Sequence, residues 1–410
     1  MEQDKRQRGR EFGRGIAVAL AVILVIAVVL QLTGVVDWKM AVAGGGNAAT
    51  EGIFSEKVQK KAREIRRYID QYYLDDVSEE TMDDAIYSGM MAGLDDPYAA
   101  YYNEKDYAAL KEDTSGNYCG IGAYVSQNAS TGTITIIKPI KDGPAEKAGI
   151  KAGDIIYTVD DEEVTGEDLT KVVTKMKGEP GTKVKIKVAR SGESDYLEFT
   201  LTRAQIETPS VDYAMLDEQV GYVTVSAFEE TTTDQFVKAV NALEKQGEKG
   251  LIIDLRNNGG GLLKTSVEML DRILPKNQLV VYTRDKNEKG DSYYTTDDEE
   301  VTVPIVVLVN GNSASASEIF AGALQDYKKA QLVGQKTFGK GIVQTIYNLS
   351  DGTALKLTTA KYYTPEGRNI HGTGLEPDVT VELKDKTTTQ KKSKVVIDSQ
   401  LQKAIDVLTK

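Results

Sequence analysis

Two short segments carry side chains that could make and break an acyl bond. NGNSASASEIFAGALQDY, residues 310–327, places Ser313, Ser315 and Ser317 between a strongly apolar run and an amphipathic one. A serine at such a strand-to-helix junction is presented beside outward-pointing backbone N–H groups, at the positive end of a helix dipole. That setting suits a nucleophile with an oxyanion hole. Ser315-x-x-Glu318 also matches a capping box, so the same serine can be read as a helix cap. The second segment, GQKTFGKGIVQTIYNL at 334–349, sets Lys340 between Gly339 and Gly341, with Gln344 four residues on. Lysine is a general base only when neutral, and its ordinary pKa of about 10.4 must be lowered by burial among apolar groups. Gln344 could orient such an amine without adding a negative charge that would raise the pKa again. Gly334-x-x-x-x-Gly339-Lys340 is most of a phosphate-binding loop, but Gly341 stands where Ser or Thr is required and a strand-like stretch follows, which argues against nucleotide binding.

A third segment, LIIDLRNNGGGLL at 251–263, ends an apolar run in the glycines Gly259, Gly260 and Gly261. Such a turn can offer N–H groups to a substrate carbonyl, or be an ordinary strand-to-helix connection. The rest of the chain narrows the choice of base. It contains one His and one Cys in 410 residues, which excludes a His-rich metal cluster, a zinc finger, an internal disulfide framework and any mechanism needing two imidazoles. No metal or cofactor is expected. His371 stands in a Gly-rich loop with no carboxylate partner evident, and reads as solvated or structural. Cys119 reads as a small buried hydrophobe. A formal charge of −12 argues against nucleic-acid binding.

The elements that must position these residues follow from hydrophobic period. Apolar runs at 220–226, 250–256 and 303–310 read as buried strands, alternating with helices over 233–246, 262–274 and 315–327, which is an α/β layer arrangement. Before it, short alternating strands at 133–140, 154–160, 183–190 and 196–203, interrupted by one helix over 166–176, make a β-rich module. Val58, Ala62, Ile65, Ile69 and Tyr72 form one apolar helix face, either a packing surface or a dimer contact. A second helix starts after Ser78 and ends before Asp95-Asp96-Pro97, and a last one carries Leu401, Ile405 and Leu408 behind an Asp398-Ser399 cap. At the front of the chain Lys5, Arg6, Arg8, Arg10 and Arg14 precede an apolar run over 16–36, long enough to span hydrocarbon once. The basic flank places residues after Asp37 outside the cytoplasm. Ala41-Val42-Ala43 offers the alternative of a cleaved signal peptide and a secreted product. The expected organisation is a cytoplasmic tail (1–15), a transmembrane anchor (16–36), a linker (37–54), a helical region (55–114), the β-rich module (115–204), the α/β core (205–385) and a C-terminal tail and helix (386–410).

Taken together, these segments resemble the carboxyl-terminal processing proteases, the tail-specific serine peptidases of the S41 type. The likeness rests on NSASASEIFAGAL, TFGKGIVQ, DLRNNGGGLL, GLDDPYAAYYN at 93–103 and KDGPAEKAGIKAGDIIYTVDDEEV at 141–164, the last a PDZ signature. The resemblance implies a crotonase-like α/β protease core with a PDZ domain, helical arms at both ends and a helical segment around 93–103. It implies Ser315 as nucleophile, Lys340 as general base and Gln344 as the residue that positions Lys340, with Ala316 and Gly260 or Gly261 forming the oxyanion hole. It further implies that Gly120, Ile121, Gly122 and Ala123 receive a free C-terminal carboxylate while the peptide adds as a strand. Ile121, Val125, Leu169 and Val172 would line the pocket for an apolar last side chain, and Lys177 would sense the docked peptide. Lys177 stands where some relatives have Arg, which removes the option of a bidentate carboxylate contact. The expected protein is thus a membrane-anchored extracytoplasmic serine endopeptidase, homodimeric, acting on proteins with exposed apolar C-termini. The rival expectation is a non-catalytic, membrane-tethered PDZ scaffold.

Overall fold

A computed structural model describes residues 55–384, 387–390 and 393–409. The expected cytoplasmic tail, transmembrane anchor and linker of residues 1–54 lie outside the described residues, among which no helix is long and apolar enough to cross a membrane. The chain divides into a unit ending at Met82 and a second from Asp83 to Lys410. In the first, the helix Glu56–Tyr72 is capped by Ser55, whose hydroxyl accepts from the Val58 N–H at 3.4 Å. It buries none of its residues, and Val58, Ile65, Tyr68 and Tyr72 of its apolar face are exposed.

The helix Glu79–Ala92 is followed not by more helix but by a turn and the strand Ala100–Tyr102, which corrects the helical segment expected around 93–103. Pro97 is the reason: it removes an N–H donor and biases the residue before it away from helical backbone.

The β-rich module is an antiparallel sheet in the order Ala123–Gln127, Ile134–Pro139, Ile155–Val159, Lys183–Ala189 and Leu197–Thr202, with Glu162–Glu163 paired to Ile155–Val159. Alternation sends Val184, Ile186 and Val188 inward, against Ile134, Ile136, Ile156 and Val172. The module's helix is Leu169–Met176, three residues shorter at its start than the pattern suggests. Asp168 caps it by accepting from the Thr170 and Lys171 N–H groups at 3.0 and 3.3 Å.

The α/β core is a six-stranded sheet ordered Val211–Met215, Val220–Val225, Gly250–Asp254, Ile305–Val309, Ala330–Gly334 and Val379–Thr380. All its neighbours are parallel except the first pair. The central strands Gly250–Asp254 and Ile305–Val309 are apolar but for the terminal Asp254, because both faces are covered. Ile253, Val307 and Leu332 meet Phe236, Leu270 and Phe320 of the helices Thr232–Gln246, Leu263–Asp271 and Ala316–Asp326. Ile252, Val306, Leu308 and Val333 meet Leu401, Ala404 and Ile405 of the helix Ser399–Leu408. The last helix is therefore a covering layer of the core, not an arm: with its apolar face left in water, the second face of the sheet would be exposed as well. Each of these buried Leu, Ile and Phe side chains contributes about 1.5–3 kcal/mol. A second, antiparallel sheet joins Ala100–Tyr102, Ala354–Tyr363, Leu279–Asp285 and Ser292–Tyr294, with Ile342–Asn348 on the long strand Ala354–Tyr363.

Candidate active site and docking groove

The strand Ile305–Val309 ends in a loop that delivers Ser315 to the first turn of the helix Ala316–Asp326. Ser315 has φ 56° and ψ −115°, a backbone conformation that L-residues rarely adopt. Its surroundings hold it there. The Ser315 N–H donates to Glu318 Oε2 at 2.9 Å, and its carbonyl oxygen accepts from the N–H groups of Glu318 and Ile319 at 2.8 and 3.0 Å. The Glu318 carboxylate makes its half of the capping box on the Ser315 N–H, while the Glu318 N–H goes to the serine's carbonyl oxygen at 2.8 Å. The neighbouring serines differ: Ser313 Oγ donates to the Leu255 carbonyl oxygen at 2.8 Å and Ser317 Oγ to that of Asn258 at 2.9 Å, both fully buried. Of the three, Ser315 alone lines the adjoining cavity of about 180 Å³, with Gly261, Ala316, Ile342, Gln344 and Tyr362 among its walls.

The glycine turn is stitched to this loop by Asn258. Its side chain donates to the Val225 carbonyl oxygen and accepts from the Gly260 N–H, both at 2.8 Å, while its own carbonyl accepts from Ala314 at 3.1 Å. Gly260 therefore has its amide committed and is removed from the expected oxyanion donors. Its contribution is close approach, since a Cβ there would lie 2.8 Å from the Ser315 Cβ. Gly261, at φ 145°, and Ala316 carry N–H groups with no acceptor among the described residues, and both line the cavity beside Ser315. These two are the available donors.

Lys340 lies in the turn before the strand Ile342–Asn348. Both flanking glycines are required by close backbone approach: a Cβ on Gly339 would sit 2.9 Å from the Gly374 nitrogen, and one on Gly341 2.5 Å from that of His371. This is where His371 acts, through its backbone, its side chain being exposed. The carboxylate that fixes Ser315 also fixes Lys340. Fully buried Glu318 accepts from the Thr337 hydroxyl at 2.5 Å, from the Gly339 N–H at 2.8 Å and from the Lys340 N–H at 2.8 Å, besides Ser315. Tyr362 adds a second tie, its hydroxyl 2.6 Å from the Lys340 carbonyl oxygen and 3.1 Å from that of Ser315. Burial lowers the Lys340 pKa, Lys356 lowers it further, and Asp96 opposes both. The ammonium itself is not bonded to Ser315. It lies over the Tyr98 ring, 4.3 Å from the centroid.

Gln344 reaches the cavity through a register shift between Val343 and Gln344, and its Nε2 donates to Thr358 Oγ1 at 3.3 Å. The structure thus brings Ser315, Ala316, Gly261 and Gln344 around one cavity, while no hydrogen bond among the described residues joins Lys340 Nζ to Gln344 or Ser315. Lys340 precedes the strand that carries Gln344, so the alternation of that strand does not set the two side chains on one face.

In the β-rich module a second cavity of about 350 Å³ is lined by Tyr118, Ile121, Ala123, Tyr124, Val125, Val173, Met176 and Lys177. Gly120 ends the strand Asn117–Gly120, and Gly122, two residues on, has φ 73°, a conformation that favours glycine, where a Cβ would also lie 3.1 Å from Ile206. Two expected pocket residues are corrected: Val172 faces the module's own core, where it is fully buried, and Leu169 packs against that core, so Val173 takes the groove position. Lys177 follows the helix Leu169–Met176, whose last carbonyls at Lys175 and Met176 accept from Arg203 at 2.8 and 3.2 Å. Its ammonium is ion-paired with Glu112 of the helix Glu104–Ser115 and lies 5.3 Å from the Tyr118 ring centroid. Glu112, Asp113 and Glu229 also wall this cavity; they come from other elements, and nothing in the module's own sequence signals them.

Comparison with known proteins adds an independent finding. The description of peptidase family S41 matches residues 219–381, and that of a PDZ domain matches 135–190. The carboxy-terminal processing protease CtpA of Bacillus subtilis is 36% identical over 365 residues, covering 89% of this chain and 77% of that one. CtpB of the same organism is 34% identical over 333 residues, covering 80% and 69%. Among solved structures, a photosystem II D1 C-terminal processing protease is 34% identical with a TM-score of 0.46, covering 79% of this chain and 86% of the other.

Proposed function

The chain belongs to peptidase family S41 and is a carboxy-terminal processing serine protease with a PDZ domain, and on that premise we propose that Ser315 is its nucleophile and Lys340 its general base. The observation that carries the reading is that Ser315, of the three serines at 313–317, is the one that lines the cavity, held at φ 56° beside the Ala316 and Gly261 amides, which have no acceptor among the described residues. Neutral Lys340 takes the Ser315 hydroxyl proton as Oγ bonds to the scissile carbonyl carbon. The charge that develops on the carbonyl oxygen is received by the Ala316 and Gly261 N–H groups. The Lys340 ammonium then protonates the leaving amine nitrogen, giving an acyl-enzyme on Ser315. Water, deprotonated by Lys340, releases the acyl group and restores the serine. Burial of Lys340 supports this role by lowering its pKa toward the neutral amine that a general base must be. Gln344, on the cavity wall, orients the amine once it turns toward Ser315.

The groove between Ala123–Gln127 and Leu169–Met176 takes the substrate's free C-terminus, with Ile121, Val125 and Val173 around an apolar last side chain and Lys177 near the carboxylate. We place the catalytic region outside the cytoplasm behind a single anchor at residues 16–36, and we propose a homodimer. Labelling with a fluorophosphonate probe tests the nucleophile: wild type is expected to react and Ser315→Ala not, and equal labelling would overturn the assignment. Alkaline extraction of membranes tests the anchor, and sedimentation of the ectodomain at micromolar concentration tests the dimer.

A further inference from the structure

The base is seated by a segment that the proposed chemistry does not use. The strand Ala100–Tyr102 pairs with Ala354–Tyr363 in the register Ala100↔Lys356, Tyr101↔Leu355 and Tyr102↔Ala354. The turn before it is locally made: the Asp96 carboxylate accepts from the Tyr98 N–H at 2.9 Å, and the Asp96 carbonyl oxygen from the Ala99 N–H at 3.2 Å. Pinned at both points, the turn sets the half-buried Tyr98 ring 4.3 Å from Lys340 Nζ.

The charged groups around this ammonium come from three elements. Asp96, from the same turn, favours the charged form, and Lys356, from Ala354–Tyr363, opposes it. Glu318, from the helix Ala316–Asp326, is spent on backbone donors, including the Lys340 N–H. An aromatic face attracts an ammonium and not a neutral amine, so Tyr98 stabilises the protonated form away from Ser315.

We propose that Tyr98 is a positioning residue of the proteolytic site: its ring is the resting seat of the Lys340 ammonium, and the base becomes competent by leaving it for Ser315. The proposal rests on the Ser–Lys reading above. It explains why the two proposed catalytic side chains are not bonded to each other while their backbones are fixed by the same Glu318 carboxylate. Only the lysine side chain has to move.

The test follows Lys340 by NMR of ε-13C-labelled lysine in Ser315→Ala protein, and the pH dependence of kcat/KM on a fluorogenic peptide in protein with Ser315 intact. Tyr98→Leu is expected to lower the Lys340 titration midpoint by about half a pH unit and to move the acid limb of kcat/KM by the same amount. Activity below that limb then rises about threefold while the plateau stays within about twofold. Tyr98→Phe, which keeps the ring face, matches wild type in both. An unmoved midpoint in Tyr98→Leu overturns the proposal, as does a uniform rate loss with an unmoved limb, the mark of a merely structural role. Where leucine unfolds the protein, pentafluorophenylalanine at position 98 weakens the ring's negative face at nearly constant shape, with the same midpoint shift expected. Lys340→Ala separates the two levels: retained turnover there ends the base assignment itself, whereas an unmoved midpoint in Tyr98→Leu leaves that assignment standing.

Discussion

Glu318 shows how much one residue's meaning depends on what the fold brings to it. In the sequence it is the last residue of a capping box; in the structure its carboxylate holds Ser315, Thr337, Gly339 and Lys340 at once. A buried charge is tolerable only when so fully bonded, and hydrogen bonds to a charged group contribute about 1.5–3 kcal/mol each. Glu318→Gln replaces one acceptor oxygen by an NH2 that faces N–H donors. It is expected to lower kcat about a hundredfold, with KM within about twofold, and to lower the melting temperature; steady-state kinetics and calorimetry check both. Glu248 is the opposite case. Buried, with no neighbouring residue donating to either carboxylate oxygen, it has its pKa pushed up to about 7, first by desolvation and then by Glu244, with its own backbone N–H and then Arg272 pulling it back. Because the folded pKa exceeds the unfolded one, the native state binds the extra proton. The contribution is full below the unfolded carboxyl range and is lost as pH rises through about 7. Denaturant melts at pH 5 and 8 are expected to differ in this sense, with Glu248→Gln removing on the order of 1–3 kcal/mol of the difference.

The elements were more legible than their side-chain encounters. The helix read over 315–327 forms as Ala316–Asp326, and the strand read over 303–310 as Ile305–Val309, because unbroken apolar runs between turn residues admit few alternatives. Ser315 and Lys340 were legible only as candidates, from residue type and the glycines flanking the lysine, and the choice of Ser315 among three serines came from the family resemblance. The elimination of Gly260 was not, since it depends on the Asn258 side chain taking its N–H, nor was the Val343–Gln344 register shift that aims Gln344. Tyr98 lies more than two hundred residues before the lysine it meets, and local periodicity carries no trace of such a pairing. The glycine turn yields a prediction at this scale. Gly261 bridges to Phe228, and a Cβ there would lie 2.3 Å from the Phe228 carbonyl oxygen at a φ of 145°. Gly261→Ala must therefore shift the turn and with it the amide proposed for the oxyanion. A kcat loss of about a hundredfold or more is expected, the size seen when one such donor is removed. Fluorophosphonate labelling should slow in parallel, because the same amide assists attack on the probe.

At the scale of the whole molecule, the groove proposed for docking and the cavity proposed for chemistry sit on different sheets, and the helix Glu104–Ser115 bears on both. It follows directly from the strand Ala100–Tyr102 of the sheet that carries Gln344, and near its other end Glu112 holds the ammonium of Lys177 in the docking groove. The groove thus contains a carboxylate of this chain on the cation proposed to meet the substrate's terminus, with Asp113 and Glu229 on the same wall. A peptide carboxylate arriving there has to displace Glu112. Ion pairs as exposed as this one are held by about 0.2–1 kcal/mol, which sets the size of the competition. Glu112→Gln is expected to tighten binding of a peptide with a free apolar C-terminus two- to fivefold, as read by fluorescence anisotropy in the Ser315→Ala background. The same peptide with an amidated C-terminus should bind both proteins equally. Lys177→Ala should abolish the difference between the two peptides, because the cation that distinguishes them is gone. Raising the salt concentration should narrow the gap between wild type and Glu112→Gln, since the competing pair is partly in water and screened. A gap that persists unchanged at high salt would mean that Glu112 acts by shaping the groove and not by occupying Lys177.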